Sequence, residues 1–380
     1  MTVAFAVLWA ATAVVFYTLV GYPILLAAFR KRSAPPVRKD LNFRTTVTVV
    51  MAVYNGGAFL RTKLETLLAL DYPRELLDIL VVSDGSTDNT DAIAAEYAGS
   101  RVRLLRVPHR GKAAGLNAAL KHATGDLLFF TDVRQPLEPG ALKHLVANFA
   151  DPTVGAVTGE LRLLKGEMGE QADMDLYWRY EVWARTRHSE IDSLFTATGC
   201  IYVQRRSLVE SLPPDTISDD AIMPLRAFFK GYRIVFDPEA VAYDYPALPG
   251  NEFRRRLRTL AGLWQIHTRL PELFTSANRM RFHFLSHKFA RLILPWALLA
   301  TGLATLALPP SSFRSILIAN ELLLLAVALM DTIVARNFPL RRLSSPARSF
   351  LVMNAAALMA VVVFFVPAKR LWAPTRVKHL

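Results

Sequence analysis

The chain has 380 residues, 52% of them hydrophobic and 20% charged, with a mean hydropathy of +0.26. Such an apolar content excludes a disordered or fibrous chain, and a lone cysteine, Cys200, excludes a disulfide scaffold and a cysteine-rich zinc site. Lys and Arg number 45 against 32 Asp and Glu, a net charge of +13; this fits membrane-flanking charge, a nucleic acid or a phosphate-bearing substrate until the positions of the charges are read.

Thr2 to Phe29 carries no charge. At about 1.5 Å per residue it can cross a hydrocarbon core of about 30 Å. Arg30, Lys31, Arg32, Arg38 and Lys39 follow it. A cleaved leader carries its basic residues before the apolar stretch. Here they come after, which by the positive-inside rule puts the N-terminus outside and the next domain in the cytoplasm. Residues 1–30 are therefore expected to form an N-terminal transmembrane helix.

Strand and helix patterns then alternate. The β-branched run 44–53 stops at Tyr54-Asn55-Gly56-Gly57 and reads as a buried strand. Leu60, Leu64, Leu67 and Leu68 mark a helix. A strand follows at 78–83, ending at Asp84-Gly85-Ser86; then come a helix at 90–97, a strand at 102–107, a helix at 112–123, a strand at 126–131 ending at Asp132, and a helix at 142–149. Such alternation predicts an α/β domain with a mostly parallel, Rossmann-like sheet covered by helices. Ligands of such sheets bind beyond the carboxyl ends of the strands, where Asp84 and Asp132 fall; either Asp alone would also serve as a turn or helix cap. The run Asp84 to Asp91 superficially resembles a calcium loop, but Asn89 and Ala95 stand where an EF-hand needs Gly and Glu.

Downstream, Phe253–Leu270 is a basic amphipathic stretch suited to a membrane surface. Three uncharged or nearly uncharged stretches follow, 292–313, 315–335 and 349–368, flanked by Lys288, Arg291, Arg336, Arg341, Arg342, Arg348, Lys369, Arg370, Arg376 and Lys378. If all three crossed, the basic tail would lie outside. The reading adopted keeps the tail cytoplasmic, with 349–368 in the interface or re-entrant. Glu321 is expected to pair with a neighbouring helix and Asp331 to lie near the cytoplasmic end, with a polar path or partner contact as the alternative for both. Positive charge thus gathers beside the apolar stretches, which argues against nucleic acid as a partner. The expected domains are residues 1–30, a cytoplasmic domain at 42–250, interface helices at 251–283, and transmembrane or interface helices with a basic tail at 284–380.

Six motifs in order resemble those of membrane-integrated family 2 glycosyltransferases with a GT-A domain, a group that includes hyaluronan, cellulose and poly-N-acetylglucosamine synthases. Ala52-Val53-Tyr54-Asn55-Gly56 resembles P-x-Y-N-E, which would set Tyr54 beside the nucleotide base. Ser83-Asp84-Gly85-Ser86 is similar to D-D-G-S, with Asp84 as acceptor for base or ribose. Gly111-Lys112-Ala113-Ala114-Gly115-Leu116-Asn117 is similar to G-K-x-x-A-L-N, offering Lys112 to the nucleotide or its phosphates. Thr131-Asp132-Val133-Arg134 stands at the place of D-x-D. The resemblance makes Asp132 a ligand for Mg²⁺ or Mn²⁺ and leaves Arg134, in place of the second Asp, to neutralise diphosphate. Ser218-Asp219-Asp220, with Leu225-Arg226 and Gly231-Tyr232, aligns with T-E-D…L-R…G-Y, making Asp220 the catalytic base and placing Asp219 at the acceptor. Thr198-Gly199-Cys200 with Arg205-Arg206 resembles an acceptor-site C-G-S…R-R, which includes Gly199. Arg255-Arg256-Leu257-Arg258-Thr259 stands where processive members carry Q-R-x-R-W; Arg256 and Arg258 would grip the departing diphosphate, and Thr259 replaces the aromatic floor for a growing chain. Trp372-Ala373-Pro374-Thr375-Arg376 resembles a W-G-T-R gating loop, putting Trp372 at the acceptor.

The resemblance implies an inverting transferase in the bacterial inner membrane. It would move sugar from a nucleotide-diphosphate donor, expected to be a UDP-sugar, to a saccharide or lipid-linked acceptor in exopolysaccharide or cell-envelope synthesis. A single-sugar transferase to polyprenyl phosphate and a non-catalytic nucleotide-sugar binding module are the alternatives, and membrane lipid and further copies of the chain, as a homo-oligomer, are among the expected partners. The eight histidines show no metal-ligand spacing and are expected at surfaces or interfaces. Trp178, Tyr180 and Trp183 are read equally as sugar platforms or as a packed helical stripe, and Cys200 as a small packing residue.

Overall fold

The computed structural model describes residues 2–28, 34–163, 171–244, 252–331, 333 and 341–366. They form two compact units. One is built from Lys31–Leu164 and Val182–Pro246, the other from Met1–Arg30, Lys165–Glu181 and Ala247–Arg376.

The first unit is organised by a seven-stranded sheet. Its strands are β1 (Val47–Val53), β2 (Leu77–Asp84), β3 (Val102–Val107), β4 (Leu127–Phe130), β5 (Val154–Leu163), β6 (Tyr202–Arg205) and β7 (Arg233–Asp244), in the order β3-β2-β1-β4-β6-β5-β7. Only β6 runs against the rest. The central strands are apolar at nearly every position because helices cover both faces, as in other sheets of this kind. Val49, Met51, Ile79, Val81 and Phe129 pack with Leu60, Leu64 and Leu67 of the helix Gly57–Leu68 and with Leu142 and Leu145 of the helix Ala141–Ala147.

The expected alternation is present, with trimmed ends. The first strand begins at Val47 because the Arg44 guanidinium donates to the Leu41 and Phe43 carbonyls and Thr45 donates to Asp126. Sequence patterning did not anticipate β5 and β7. They pair over a long register broken by irregularities at Val154/Ala156 and Gly159/Glu160, which spoils a clean two-residue period.

Parallel pairing has a direct consequence for function. Register pairs Val53 with Ser83 and Val50 with Phe130, so β1, β2 and β4 end along one edge. Antiparallel β6 pairs Tyr202 with Phe130 and so brings the loop before it, Thr198-Gly199-Cys200, to that same edge.

Among the described residues, the second unit holds four helices long and apolar enough to cross a membrane: Val3–Ala28, Arg281–Ala307, Ser312–Met330 and Leu343–Phe364. The second starts at Arg281 rather than Leu292 because its polar residues are satisfied inside the unit. Tyr17 and Ser286 share a hydrogen bond of 2.6 Å between two π-helical turns, and Tyr22 meets His283 at 3.1 Å. Glu181 is surrounded by His287, Lys288 and Arg291. Burial alone would raise the Glu181 pKa; Arg291, Lys288 and His287 instead hold it well below the usual carboxylate range. This helix ends at Ala307, before Pro309-Pro310, so Phe313 belongs to the next one.

Both acids in the stretch 315–335 have partners, which for Glu321 is the pairing expected. The Thr305 hydroxyl donates to Glu321 at 2.9 Å, and Ser344 and Arg348 each donate to Asp331 at 3.1 Å. The last helix begins at Arg341, upstream of the expected Ser349, and its apolar window of 22 residues has the length to cross. The amphipathic helix Glu252–Arg269 is present. Its His267 is buried among the rings of Phe274, Phe284 and Phe289, at 5.3 to 5.5 Å. His188, His283 and His287 are buried too. Arg30, Lys31, Arg32, Trp372 and the Trp372–Arg376 motif lie outside the described residues.

Phe129 has no solvent exposure at the centre of the sheet. Phe129→Ala is expected to cost the first unit about 3–5 kcal/mol, read as an earlier urea midpoint for loss of its near-UV circular dichroism.

Candidate active site

The shared strand edge assembles most of the residues singled out from the sequence. After β1, Asn55 turns the chain with φ +49°. Its side-chain oxygen accepts the Thr87 N–H at 2.8 Å, the Gly56 N–H donates to Thr90 at 3.0 Å, and the Gly57 N–H donates to Asp88 at 3.0 Å. The acidic run after Asp84 is therefore a brace for the Tyr54 turn. A Cβ on Gly57 would meet the Asn89 side-chain amide, which would have to move aside. Tyr54 is partly exposed and stacks on the His109 ring at 4.1 Å.

Asp84, at the end of β2, is buried. Its two carboxylate oxygens accept the Arg110 N–H at 2.8 Å and the Gly111 N–H at 2.9 Å. Gly111 takes φ +94°, a left-handed conformation that favours glycine. The turn aims Lys112, the first residue of the helix Lys112–Leu120, at the neighbouring strand ends. Farther along that helix Asn117 exchanges two hydrogen bonds of 2.7 Å with the backbone of Leu212.

The Lys112 ammonium is the hub of the site. It lies 3.0 Å from Asp132 and 3.2 Å from Asp219. Burial works to lower its pKa, but Asp132, Asp219 and Asp220 outweigh burial and raise it. Asp219 and Asp220 occupy the first turn of the helix Asp219–Phe229. Asp220 is pushed up to about 7, first by burial and next by Asp219, with Lys112 opposing. Gly199 makes room for it: a Cβ there would stand 3.2 Å from an Asp220 carboxylate oxygen. Leu225-Arg226 and Gly231-Tyr232 finish the same helix. Arg226 donates to the Ser211 carbonyl at 2.7 Å, and Gly231, at φ +95°, closes its C-terminus.

Arg134, Arg205, Arg206 and Arg256 each make bonds of their own. Arg134 makes two bonds, 2.9 and 2.8 Å, to Asp244 at the end of β7. Arg205 and Arg206 lie at the far end of β6, opposite Leu127 rather than the strand edge. There Arg205 donates to the Val154, Phe149 and Asp151 carbonyls and Arg206 to the Gly125 carbonyl, so both stitch loops. Arg256 and Arg258 stand on the helix Glu252–Arg269 of the second unit, where Arg256 donates to the Ser349 carbonyl at 3.2 Å.

Three contributors were not recognised from sequence. Arg185 donates to Thr198 at 2.7 Å and covers the Phe236 ring, bracing the Gly199 loop. His109 supplies the ring against Tyr54. Lys63 is buried in the helix Gly57–Leu68 and donates to Thr131 at 2.7 Å and to the Gln135 carbonyl at 2.5 Å. Its only sequence signal was a charge in line with Leu60 and Leu67 on an apolar stripe. Burial lowers its pKa to about 7. Cys200 is buried packing, as expected. Among the described residues one group, His144, Asp237 and Glu239, is close enough for a metal, but Lys39 already pairs with both acids.

The donor set fits a divalent cation. Asp132 is half-exposed, and the acids Asp132, Asp219 and Asp220 outnumber the single ammonium between them, so the cluster favours added positive charge beside Asp132.

The comparisons agree with this geometry. Residues 48–212 match the model for glycosyl transferase family 2, and residues 136–366 match that for glycosyl transferase family group 2. The chain belongs to the family 2 glycosyltransferases, and its first unit is a GT-A fold. A mannosyltransferase from Pyrobaculum calidifontis, solved in complex with GDP-Man and Mn²⁺, superposes with a TM-score of 0.76 at 26% identity, over 94% of this chain and 98% of that one. A probable glycosyltransferase of Bacillus subtilis, YdaM, is 24% identical over 67% of this chain and 64% of its own length. A poly-beta-1,6-N-acetyl-D-glucosamine synthase of Staphylococcus aureus is 25% identical over 65% of this chain and 61% of its own. The chain thus spans less than two thirds of these two relatives.

Two outcomes test the site. Gly199→Ala is expected to lower turnover by about tenfold with an unchanged unfolding midpoint, because its Cβ displaces the Asp220 carboxylate. For Lys63, with a folded pKa of about 7 and an ordinary unfolded value, the unfolded chain binds more protons between the two. Wild-type stability relative to Lys63→Met is therefore expected to rise with pH from about 7 to about 10, and to be flat below 7, in paired denaturation series.

Proposed function

We propose that the chain is an inverting glycosyltransferase of the cytoplasmic membrane face, taking a sugar from a nucleotide-diphosphate donor to a hydroxyl of a saccharide or lipid-linked acceptor. The observation that carries the reading is the Lys112 ammonium set between Asp132 and Asp219, with Asp220 beside them at one strand edge. Tyr54 and Asp84 form the base and ribose side. Lys112 offers positive charge to the diphosphate. Asp132 would hold Mg²⁺ or Mn²⁺, which when bound supplies charge neutralisation for the leaving diphosphate.

An acceptor hydroxyl is a weak nucleophile. Asp220, ionised, takes its proton as the oxygen forms its bond to the anomeric carbon and the bond to the diphosphate breaks, with both electrons leaving on phosphate. Attack opposite the leaving group inverts the centre. Gly199 and Asp219 would border the acceptor, and Arg256 and Arg258 would hold the departing diphosphate. Arg134, paired with Asp244, contributes to the diphosphate only if that pair opens. Trp372 remains assigned to the acceptor by its motif. Relatives named for N-acetylglucosamine polymers and mannose transfer support a nucleotide-sugar donor, with a UDP-sugar as the first choice. Four apolar helices support a multi-pass membrane protein.

A second reading, single transfer to polyprenyl phosphate, is favoured by Thr259. It is exposed and bonds only back to the Arg255 carbonyl where a sugar floor would need a ring.

The test is nucleotide release from a panel of UDP- and GDP-sugars with Mg²⁺, Mn²⁺ or EDTA and membrane lipid extract. Release from one donor is expected, falling about 10²–10⁴-fold in Asp220→Asn and strongly in EDTA. Release that Asp220→Asn leaves untouched would sink the assignment of the base. Product length, read by mass spectrometry, separates polymer from single transfer.

A further inference from the structure

We infer that Lys63 is a positioning residue that fixes the turn carrying Asp132, and through it the approach of Gly199 to Asp220. The inference rests on the reading of Asp132 and Asp220 just given.

The geometry spans the turn from both sides. Lys63 Nζ donates to Thr131 Oγ1 at 2.7 Å and to the Gln135 carbonyl at 2.5 Å. These anchors bracket Asp132, Val133 and Arg134. Thr131 spends its only hydroxyl hydrogen on the Cys200 carbonyl, at 2.7 Å. One lysine is therefore connected, through one hydroxyl, to the loop whose Gly199 lies against Asp220. The Thr131 N–H is held by the Val50 carbonyl at 3.2 Å, so the start of the turn is pinned to the sheet, while Lys63 and the Arg134–Asp244 pair hold its far side.

Packing alone does not account for a lysine here. The side chain is 1% exposed, in line with Leu60, Leu64 and Leu67 on the covered face of its helix. A methionine or leucine would fill that space with no amine to desolvate. What an aliphatic chain lacks is two donors aimed at a turn whose carbonyl and hydroxyl are both sealed from water. The amine does not touch the reacting atoms; it acts on where the Asp132 carboxylate stands relative to Lys112. Residues that orient a metal ligand typically change affinity by about 10–100-fold when removed.

The experiment uses the full-length protein in detergent. Mn²⁺ is titrated in the presence of UDP and, separately, GDP, and bound metal is read from the loss of its free electron paramagnetic resonance signal. Lys63→Met is expected to weaken Mn²⁺ about tenfold or more and to lower kcat comparably. Its KM for donor should move less, and its thermal midpoint should lie within a few degrees of wild type. Lys63→Gln, which keeps a donor, is expected to recover part of both losses. Thr131→Val should reproduce the defect, and the double variant should add little to either single one. Wild-type metal affinity and turnover in a folded Lys63→Met overturn the inference, as does a fall in thermal midpoint with metal affinity intact. If Lys63→Met does not fold, Thr131→Val decides by the same readings. A wild type that retains no Mn²⁺ with either nucleotide and turns over no donor overturns the reading of the site, and this inference with it; wild-type binding that the variants leave intact overturns the inference alone.

Discussion

One ammonium between two carboxylates organises the edge where the strands end. Lys112 meets Asp132 and Asp219 at hydrogen-bond distance, and Asp220 adds a third acid to its surroundings. Three acids so close would repel one another if all were charged and unpartnered. The ammonium offsets part of that repulsion, and the residue of negative charge is what a divalent cation and the base chemistry can both use. Burial first, and the crowding by Asp219 next, push the Asp220 pKa up to about 7, a value suited to the proposed exchange of a proton near neutral pH. Each neighbour of this cluster is supplied by a different element: Lys112 by the turn after β3, Asp132 by the end of β4, and Asp219 and Asp220 by a helix start. Only the parallel sheet brings those points to one edge.

That dependence explains what could be seen in the sequence. Apolar runs ending in Asp84 and Asp132 announce strand ends, and a parallel sheet puts strand ends together, so the edge and its acids followed from pattern. Motif order then supplied Lys112 and Asp220. Lys63 was hidden because its importance lies in contacts with Thr131 and Gln135, far along the chain, and a helical period shows only which face it occupies. Arg205 and Arg206 were misplaced for a related reason. Their nearness to Gly199 in sequence spans the full length of an antiparallel strand, which carries them to the opposite end of the sheet. The acids after Asp84 look like ligands in one dimension; in three, Asp88 holds the Gly57 N–H of the Tyr54 turn and the Thr90 N–H, and Asp91 pairs with Arg106.

The membrane-type helices obey a different economy. Their outward faces are apolar, while Glu181, Glu321 and Asp331 each find a partner on another helix: Glu181 with Arg291 and Lys288, Glu321 with Thr305, Asp331 with Ser344 and Arg348. Inside an apolar layer an unpartnered charge would be costly, so pairing of this kind fixes which faces meet. Hydropathy alone could not locate the start of Arg281–Ala307, since Ser286, His287, Lys288 and Arg291 lower its apolar score while facing partners inside the unit.

The pairing of Arg134 with Asp244 bears on how a single carboxylate can suffice at Asp132. A second acid two residues on would add negative charge to a turn that already stands near Asp219 and Asp220. Arg134 instead turns toward Asp244 and makes a two-bond ion pair beside β7, which ties the turn to a strand of the sheet. Lys63 ties the same turn from below, and Lys112 meets its exposed acid from above. A carboxylate held by three such restraints loses little freedom when it accepts a ligand, so the geometry that a pair of acids would share can be supplied by one acid and the cations around it.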